Sequence, residues 1–216
     1  MPAERALELF AGRDIAGTPT PSAQWLAPLL GESVLGIDPS LTGFAICMHV
    51  PGMELYEARW SSKPAEGVRP RVARYEQLIR GTVQIVVAHK PSLVLIEGYA
   101  FEPPGKQRGH HDRAELGGVL RWKLCELLPR ASIIEVAPSS LKKFTTGDGK
   151  APKPFMVSEL AKKHQRRFVT DDAADAFALC ELGKALTGQA PPLPTKAERT
   201  YLDALRKGFG LAEVAT

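Results

Sequence analysis

The pattern of apolar and polar residues predicts a chain of alternating strands and helices. Short apolar runs and alternating stretches between turn residues indicate five β-strands, at Val34–Asp38, 44–48, 53–60, 93–96 and Ser132–Val136. Apolar residues three and four apart indicate helices at 69–89, 112–128, 155–165, Asp171–Leu186 and 195–209, with a helical turn at 138–144 and loops at 99–111 and 145–154. The strand at 93–96 is apolar on both faces, which favours a sheet covered on both sides. We therefore expect an α/β protein with a five-stranded mixed sheet flanked by helices on both faces.

The last long helix of this core carries carboxylates where a core-facing helix should be apolar. Positions 172, 175, 179, 182 and 186 share one face and read Asp, Asp, Leu, Leu, Leu. Acids in the first turn behind a Thr170 cap are common partners of the helix dipole, which accounts for Asp171 and less completely for Asp172. Asp175 lies one turn further in, where an unpaired buried carboxylate is costly. The helix therefore predicts a cation against its leucine-bearing face.

Two further acids stand at the ends of apolar strands. Asp38 closes the first strand, and Glu97 follows the strand at 93–96. If these strands are neighbours, their ends bring Asp38 and Glu97 together, and the final helix adds Asp172 and Asp175. Clustered carboxylates repel one another, so raised pKa values or bound divalent cations are expected. Oxygen ligands without Cys or His favour Mg²⁺ or Mn²⁺, and a pair of such ions suits phosphoryl displacement.

Length and composition limit the organisation of the chain. With 216 residues, 44% of them hydrophobic, the chain is expected to form one core domain at 32–188, an N-terminal extension at 1–31 and a C-terminal extension at 189–216. No run approaches the length of a membrane span and no signal-peptide pattern opens the chain, so a cytoplasmic location is expected. Three widely spaced cysteines without a CxxC pair argue against disulfides and zinc.

Positive charge is concentrated in one part of the chain. The net charge is +4, yet residues 138–168 alone hold eight Lys or Arg against two acids. A basic block beside clustered acids indicates an anionic polymer as partner, and nucleic acid fits best. A solvated basic surface without a partner is the alternative.

Four short motifs follow one another between residues 33 and 187: Gly36-Ile37-Asp38-Pro39, Thr42-Gly43, Ile96-Glu97 and Asp172-Ala173-Ala174-Asp175-Ala176. In their order and spacing they resemble the RuvC-type Holliday-junction resolvases of the ribonuclease-H-like superfamily, and the long leader looks more like the phage-type members. The resemblance implies a ribonuclease-H-like fold and a homodimeric, Mg²⁺-dependent endodeoxyribonuclease with two ions per active site and no small-molecule cofactor. It further implies symmetric cuts in a four-way or otherwise branched DNA junction, in the cytosol of a bacterium or a phage-infected host. Asp38, Glu97, Asp172 and Asp175 match the family's catalytic metal ligands.

The resemblance continues into the basic block. Lys142 and Lys153 align with family lysines near the scissile phosphate, which implies a catalytic role for both. An ammonium there can hold the phosphate or offset charge that develops during attack. Lys143 and Lys150 are additional charges, which we interpret as DNA-steering.

The loop after Glu97 departs from the family pattern. An aromatic residue of the family stacks on bases at the crossover, but Ala100 stands at that position here. Its neighbours Tyr99 and Phe101 are the candidates for stacking, with buried packing as the alternative for one of them. Arg108 in the same loop is a further candidate DNA contact.

Three other functions compete with the resolvase interpretation. A ribonuclease-H-like enzyme acting on RNA or RNA–DNA hybrids would use the same acids. An actin-like ATPase or sugar kinase shares a related fold, but that fold needs two such domains and 216 residues leave no room for the second. A catalytically silent DNA-binding module is disfavoured by the complete set of acids. The sequence His110-His111-Asp112 could bind a metal, but a polar, DNA-facing loop is the preferred interpretation.

Overall fold

The computed structural model describes residues 33–98, 110–189 and 196–210. The strands are β1 (Val34–Asp38), β2 (Phe44–His49), β3 (Tyr56–Trp60), β4 (Leu93–Glu97) and β5 (Ser132–Val136). The helices are α1 (Val68–His89), α2 (His110–Leu127), α3 (Pro138–Thr146), α4 (Lys153–His164), α5 (Asp171–Leu186) and α6 (Lys196–Gly208).

The five strands form one mixed sheet in the order β3-β2-β1-β4-β5. The pairs β1–β2 and β2–β3 are antiparallel, whereas β1–β4 and β4–β5 are parallel. Separate hydrophobic clusters cover the two faces: residues of α1 and α2 pack on one face and residues of α5 on the other. The predicted α/β class and the five-stranded mixed sheet between helices are therefore confirmed.

Helix α5 lies directly on the centre of the sheet because Gly36 has no side chain. A Cβ atom at Gly36 would lie 2.3 Å from the carbonyl oxygen of Ala176 and 2.6 Å from the backbone nitrogen of Cys180. Any larger residue at position 36 would push α5 away from the sheet. The glycine of the first motif thus lets the acid-bearing helix approach the strand that ends in Asp38.

Several boundaries differ from the sequence prediction. The third strand begins at Tyr56 rather than at 53, and α2 begins at His110, inside the predicted loop. Helix α4 begins at Lys153, two residues earlier than predicted, because Pro154 lies in its first turn, where a missing N–H costs nothing. Helix α3 continues to Thr146 and ends at Gly147, whose φ of 82° is a left-handed cap.

The predicted N-terminal extension at 1–31 and the loop residues Tyr99, Phe101 and Arg108 lie outside the described residues. The domain boundaries and the stacking assignments therefore stay predictions. Among the residues that the structure describes, no helix is both long enough and apolar enough to cross a membrane.

Candidate active site

Two neighbouring strand ends and one helix bring three carboxylates together. Strands β1 and β4 pair in parallel with Ile37 opposite Ile96, so Asp38 and Glu97 leave the same edge of the sheet side by side. Asp175 reaches them from α5, and its side chain is 2% exposed. The ligand oxygens of Asp38, Glu97 and Asp175 all lie within 4.8 Å of one another. We call these three residues the carboxylate triad.

The fourth predicted ligand, Asp172, lies in the same cleft but not in this triad. Its carboxylate is 26% exposed and pairs with Arg59, whose Nη2 lies 3.5 Å from Oδ2 of Asp172. Asp172 also lies against Gly43, where an added Cβ would come within 2.0 Å of Oδ2. The structure thus brings three of the four predicted ligands together and places the fourth at the rim.

The carboxylate triad opens into a cleft of about 410 Å³. The cleft combines acids of β1, β4 and α5 with basic residues of α2, α3 and α4; it is lined by Asp38, Pro39, Ser40, Glu97, Gly98, Arg113, Pro138, Leu141, Lys142, Lys153, Met156, Asp172 and Asp175. Lys153, the first residue of α4, forms an ion pair with Asp175. Such a polar cleft is suited to a charged ligand.

Burial and mutual repulsion make the triad hold its protons tightly. Burial, followed by the charges of Glu97 and Asp175, raises the pKa of Asp38 well above its ordinary value of 3.8. Burial and the charge of Asp175 raise the pKa of Glu97 to about 7. Burial also raises the pKa of Asp175, although the hydrogen bond from Lys153 opposes that shift.

Lys153 stays protonated beside these acids. Burial alone would lower its pKa, but the hydrogen bond to Asp175 and the nearby carboxylates outweigh burial and raise the pKa above 10.5. Lys153 is ion-paired with one carboxylate of the triad, whereas three carboxylates converge there when all are ionised.

The chemistry of the cluster fits a hard divalent cation. Three convergent carboxylates supply oxygen ligands only, the set that Mg²⁺ and Mn²⁺ prefer, whereas zinc sites use Cys and His. A bound cation would relieve the repulsion that raises the pKa values of Asp38 and Glu97. The ion species and the number of ions stay predictions.

The predicted lysines separate into two groups. Lys142 and Lys153 line the cleft, whereas Lys143 and Lys150 do not appear among its described lining residues. Lys143 lies 4.6 Å from the ring centroid of Tyr201 on α6, a cation–π contact. This arrangement fits the steering role that the sequence suggested for Lys143 and Lys150.

Two basic residues of this region had no motif to mark them. Arg59 belongs to the alternating pattern of β3, but only the strand register shows that it reaches Asp172. Arg113 follows the predicted loop and lines the cleft from α2. The basic block at 138–168 did not indicate Arg59 or Arg113, because both lie outside it.

A second group of metal-ligand types lies on α2 but is already occupied by basic partners. His111, Asp112 and Glu115 offer atoms within 4.8 Å of one another. However, Arg74 pairs with Asp112 at 3.4 Å and Arg71 pairs with Glu115 at 3.3 Å. These ion pairs join α1 to α2. His111 lies in α2, so its placement in a polar loop was wrong.

The mixed sheet and its strand order, with carboxylates at the strand ends, form an α/β fold of the ribonuclease-H-like type. Over 175 residues the chain is 27% identical to the crossover junction endodeoxyribonuclease RuvC of Gloeobacter violaceus, covering 78% of this chain and 94% of that relative. The predicted resemblance to the RuvC-type family is thereby confirmed. No protein-family model matches the chain.

Solved structures give the same result for the fold. Thermus thermophilus RuvC aligns with a TM-score of 0.57 at 20% identity, covering 74% of this chain and 99% of that chain. The same protein in complex with a Holliday junction substrate aligns with a TM-score of 0.57 at 18% identity, covering 76% and 100%. At these identities the two structures establish the shared fold.

Proposed function

We propose that this chain is a structure-selective endodeoxyribonuclease that resolves four-way DNA junctions by paired, symmetric nicks. One observation carries the proposal: two buried carboxylates and one half-buried carboxylate offer oxygens within 4.8 Å of one another, in a chain related to RuvC over 94% of that relative's length. Like charges held this close and largely out of water are typical of a site that binds a cation or carries out a reaction. The cleft beside the triad is open and partly basic, as a phosphodiester substrate requires.

The acids of the site would bind the divalent ions. Asp38, Glu97 and Asp175 would hold one divalent ion, and Asp172 would take part in holding a second. Two Mg²⁺ ions, for which Mn²⁺ can substitute, would supply activation of the attacking water and stabilisation of the leaving oxygen.

The lysines of the cleft act on the phosphate. Lys142 faces the cleft from α3, and Lys153 is held at its floor by Asp175. Their ammonium groups can bind the scissile phosphate and offset the negative charge that develops as the phosphorus is attacked. Lys143 and Lys150 add positive charge along the approach to the site, which speeds the encounter with DNA.

Symmetric cutting requires two copies of this site. One chain carries one carboxylate triad within its described residues, so paired nicks on opposed strands require a homodimer with a two-fold axis. We infer such a homodimer, acting where the chromosome or phage genome lies, in the cytoplasm.

A panel of substrates tests the reaction. Labelled four-way junction, linear duplex, single-stranded DNA and RNA–DNA hybrid are incubated with Mg²⁺, and the cut positions are mapped. We expect cuts at symmetric positions on two opposed strands of the junction and little cutting of the duplex. The Asp175→Asn variant is the matched control, because it removes one negative charge and changes the side chain very little. Preferred cutting of the hybrid would instead support a ribonuclease-H-like activity and overturn the proposal.

A supercoiled plasmid that extrudes a cruciform tests the pairing of nicks. A dimer that cuts both strands within one encounter converts the plasmid directly to the linear form. Accumulation of nicked circles before linear product would contradict coupled cutting by a homodimer. Light scattering of the free protein gives the oligomeric state independently of cleavage.

A further inference from the structure

The register of the sheet places Arg59 in the same cross-strand row as Asp38 of the triad. Asp38 pairs with Ala45 across β1–β2, and Ala45 pairs with Arg59 across β2–β3. Residues directly opposite one another project from the same face of a sheet. Arg59 therefore emerges on the face covered by α5, two strands away from Asp38 or about 10 Å between Cα atoms.

The side chain of Arg59 reaches the β1–β2 turn and the first turn of α5. Ala45, which separates it from Asp38, projects only a methyl group into this row. The Nη2 atom of Arg59 lies 3.3 Å from the carbonyl oxygen of Thr42 and 3.5 Å from Oδ2 of Asp172. One guanidinium nitrogen thus donates both to the β1–β2 turn and to a predicted metal ligand, a pairing that the fork of donors on Arg permits.

Gly43 provides the space in which Asp172 meets Arg59. A Cβ atom at Gly43 would lie 2.0 Å from Oδ2 and 2.5 Å from Cγ of Asp172, so a side chain there would displace the carboxylate. Gly43 thus leaves room for Asp172 beside Arg59, whereas the triad gathers at the ends of β1 and β4.

The two ion pairs of the site differ in exposure. Asp175 is 2% exposed where it pairs with Lys153, but Arg59 and Asp172 are 41% and 26% exposed. An exposed pair is weak, so a divalent cation can displace it at small cost.

We propose that Arg59 is a positioning residue that holds Asp172 apart from the carboxylate triad and thereby weakens the binding of one divalent ion relative to the other. This inference rests on the proposed function, because it assumes that divalent ions bind in this cleft. The triad offers three convergent carboxylates and takes an ion first, although Asp175 is also paired with Lys153. The second ion has to withdraw Asp172 from Arg59, so it binds more weakly.

Calorimetric titration of the DNA-free protein with Mn²⁺ tests the inference without measuring cleavage. We expect two classes of ion in the unsubstituted protein, and Asp172→Asn should remove the weaker class. Arg59→Gln should tighten the weaker class by about twofold to fivefold, the range of an exposed ion pair, and leave the tighter class unchanged. Arg71→Gln is the matched control, because Arg71 forms a similar pair with Glu115 at 3.3 Å on the other side of the sheet.

The outcomes separate the inference from the function on which it rests. Absence of Mn²⁺ binding to the unsubstituted protein would overturn the proposed function. Two classes of ion with no tightening in Arg59→Gln, or with weaker binding, would overturn only the inference. In the Asp172→Asn variant, adding Arg59→Gln should leave the Mn²⁺ affinity of the remaining class of ion unchanged. A change in that affinity would show that Arg59 acts on the site by its charge alone, which contradicts the proposal. Thermal unfolding of each variant verifies that it is folded.

Discussion

Helix α5 carries two buried acids whose surroundings differ, and the difference separates a structural acid from a functional one. Asp175 is 2% exposed and Glu181 is 7% exposed, six positions apart on the same helix. Glu181 pairs with Lys184 at 2.6 Å, and His164 lies 4.0 Å away. Because burial lowers the pKa of His164, Lys184 is the permanent cation of this group. One carboxylate thus faces one ammonium, and the charge is balanced.

At the N-terminal end of α5, the charges are not balanced. Asp175 has a lysine partner as well, but Asp38 and Glu97 converge on the same point, so three carboxylates crowd around this one ion pair. Burial raises the pKa of both Asp38 and Glu97, and the charge of Asp175 adds to each shift. The balance of charge, rather than burial itself, therefore distinguishes a site built for a cation from an internal ion pair.

The largest expected effect separates activity from stability at the unbalanced end. Asp38→Asn should reduce junction cleavage by roughly a hundredfold to a thousandfold or more, because it removes a central negative ligand. In EDTA at pH 8 the same variant should be more stable than the unsubstituted protein, because it no longer buries that charge. Cleavage rates and urea unfolding measure the two effects, and junction binding in Ca²⁺ provides the control. Retained cleavage would contradict the site assignment.

The pH dependence of stability sharpens the same contrast. Glu97 has a pKa of about 7 in the folded protein against an ordinary value of 4.5, so between these pH values the folded state holds more protons than the unfolded chain. The free energy of unfolding of the metal-free protein should therefore fall as pH rises through this window, by up to about 3 kcal/mol from this residue. The pKa of Asp38 is raised as well, so Asp38 adds to the loss of stability as pH rises.

Urea unfolding in EDTA measures how the free energy of unfolding changes with pH. The measurements run from about pH 5 to pH 8, the range in which such groups titrate. Glu97→Gln should flatten the slope, and saturating Mg²⁺ should restore stability at the upper end of the window. Glu181→Gln should keep the slope, because the triad is unchanged in that variant. A stability that rises with pH in the metal-free protein would contradict the charge imbalance.

The two cleft lysines are expected to have the next largest effect. Lys142→Ala and Lys153→Ala should each lower the cleavage rate by roughly tenfold to a hundredfold and weaken junction affinity much less, because they act on the charge of the transition state. Lys143→Ala is the matched control, since Lys143 contacts Tyr201 rather than the cleft. Single-turnover rates and junction affinity in Ca²⁺ separate the two quantities. Equal losses in affinity and rate would reduce these lysines to steering.

The sequence predicts most of the fold and the acids, but not how the acids are arranged. Strand ends and the face of α5 are local patterns, and they indicated Asp38, Glu97 and Asp175 correctly as neighbours. The separation of Asp172 depends on Arg59, which reaches it only through the register of three strands. Helical spacing alone put Asp172 with Asp175, because it contains no information about the cation on the next strand.

Glu181 shows the same limit at the other end of α5. It looks like an ordinary helical acid in the sequence, and its ion pair with Lys184 follows the common i, i+3 spacing of exposed helices. In the folded protein Glu181 is 7% exposed, and one turn earlier on α5 the ring of Phe177 packs against the rings of His164 and Phe168. No local pattern distinguishes Glu181 from a surface residue, because tertiary packing alone buries it.

The smallest effect is expected at the balanced end, and its sign is opposite to that at the triad. Glu181→Gln should lower the free energy of unfolding by about 1–2 kcal/mol, because it leaves the ammonium of Lys184, 17% exposed, without its carboxylate. Cleavage rate and Mn²⁺ affinity should stay within about twofold, since a neutral ion pair contributes no net charge to the distant cleft. Urea unfolding at pH 7 and the junction assay measure both quantities. A Glu181→Gln variant that gained stability and lost metal binding would behave like the triad, and charge balance would then not separate the two buried acids of α5.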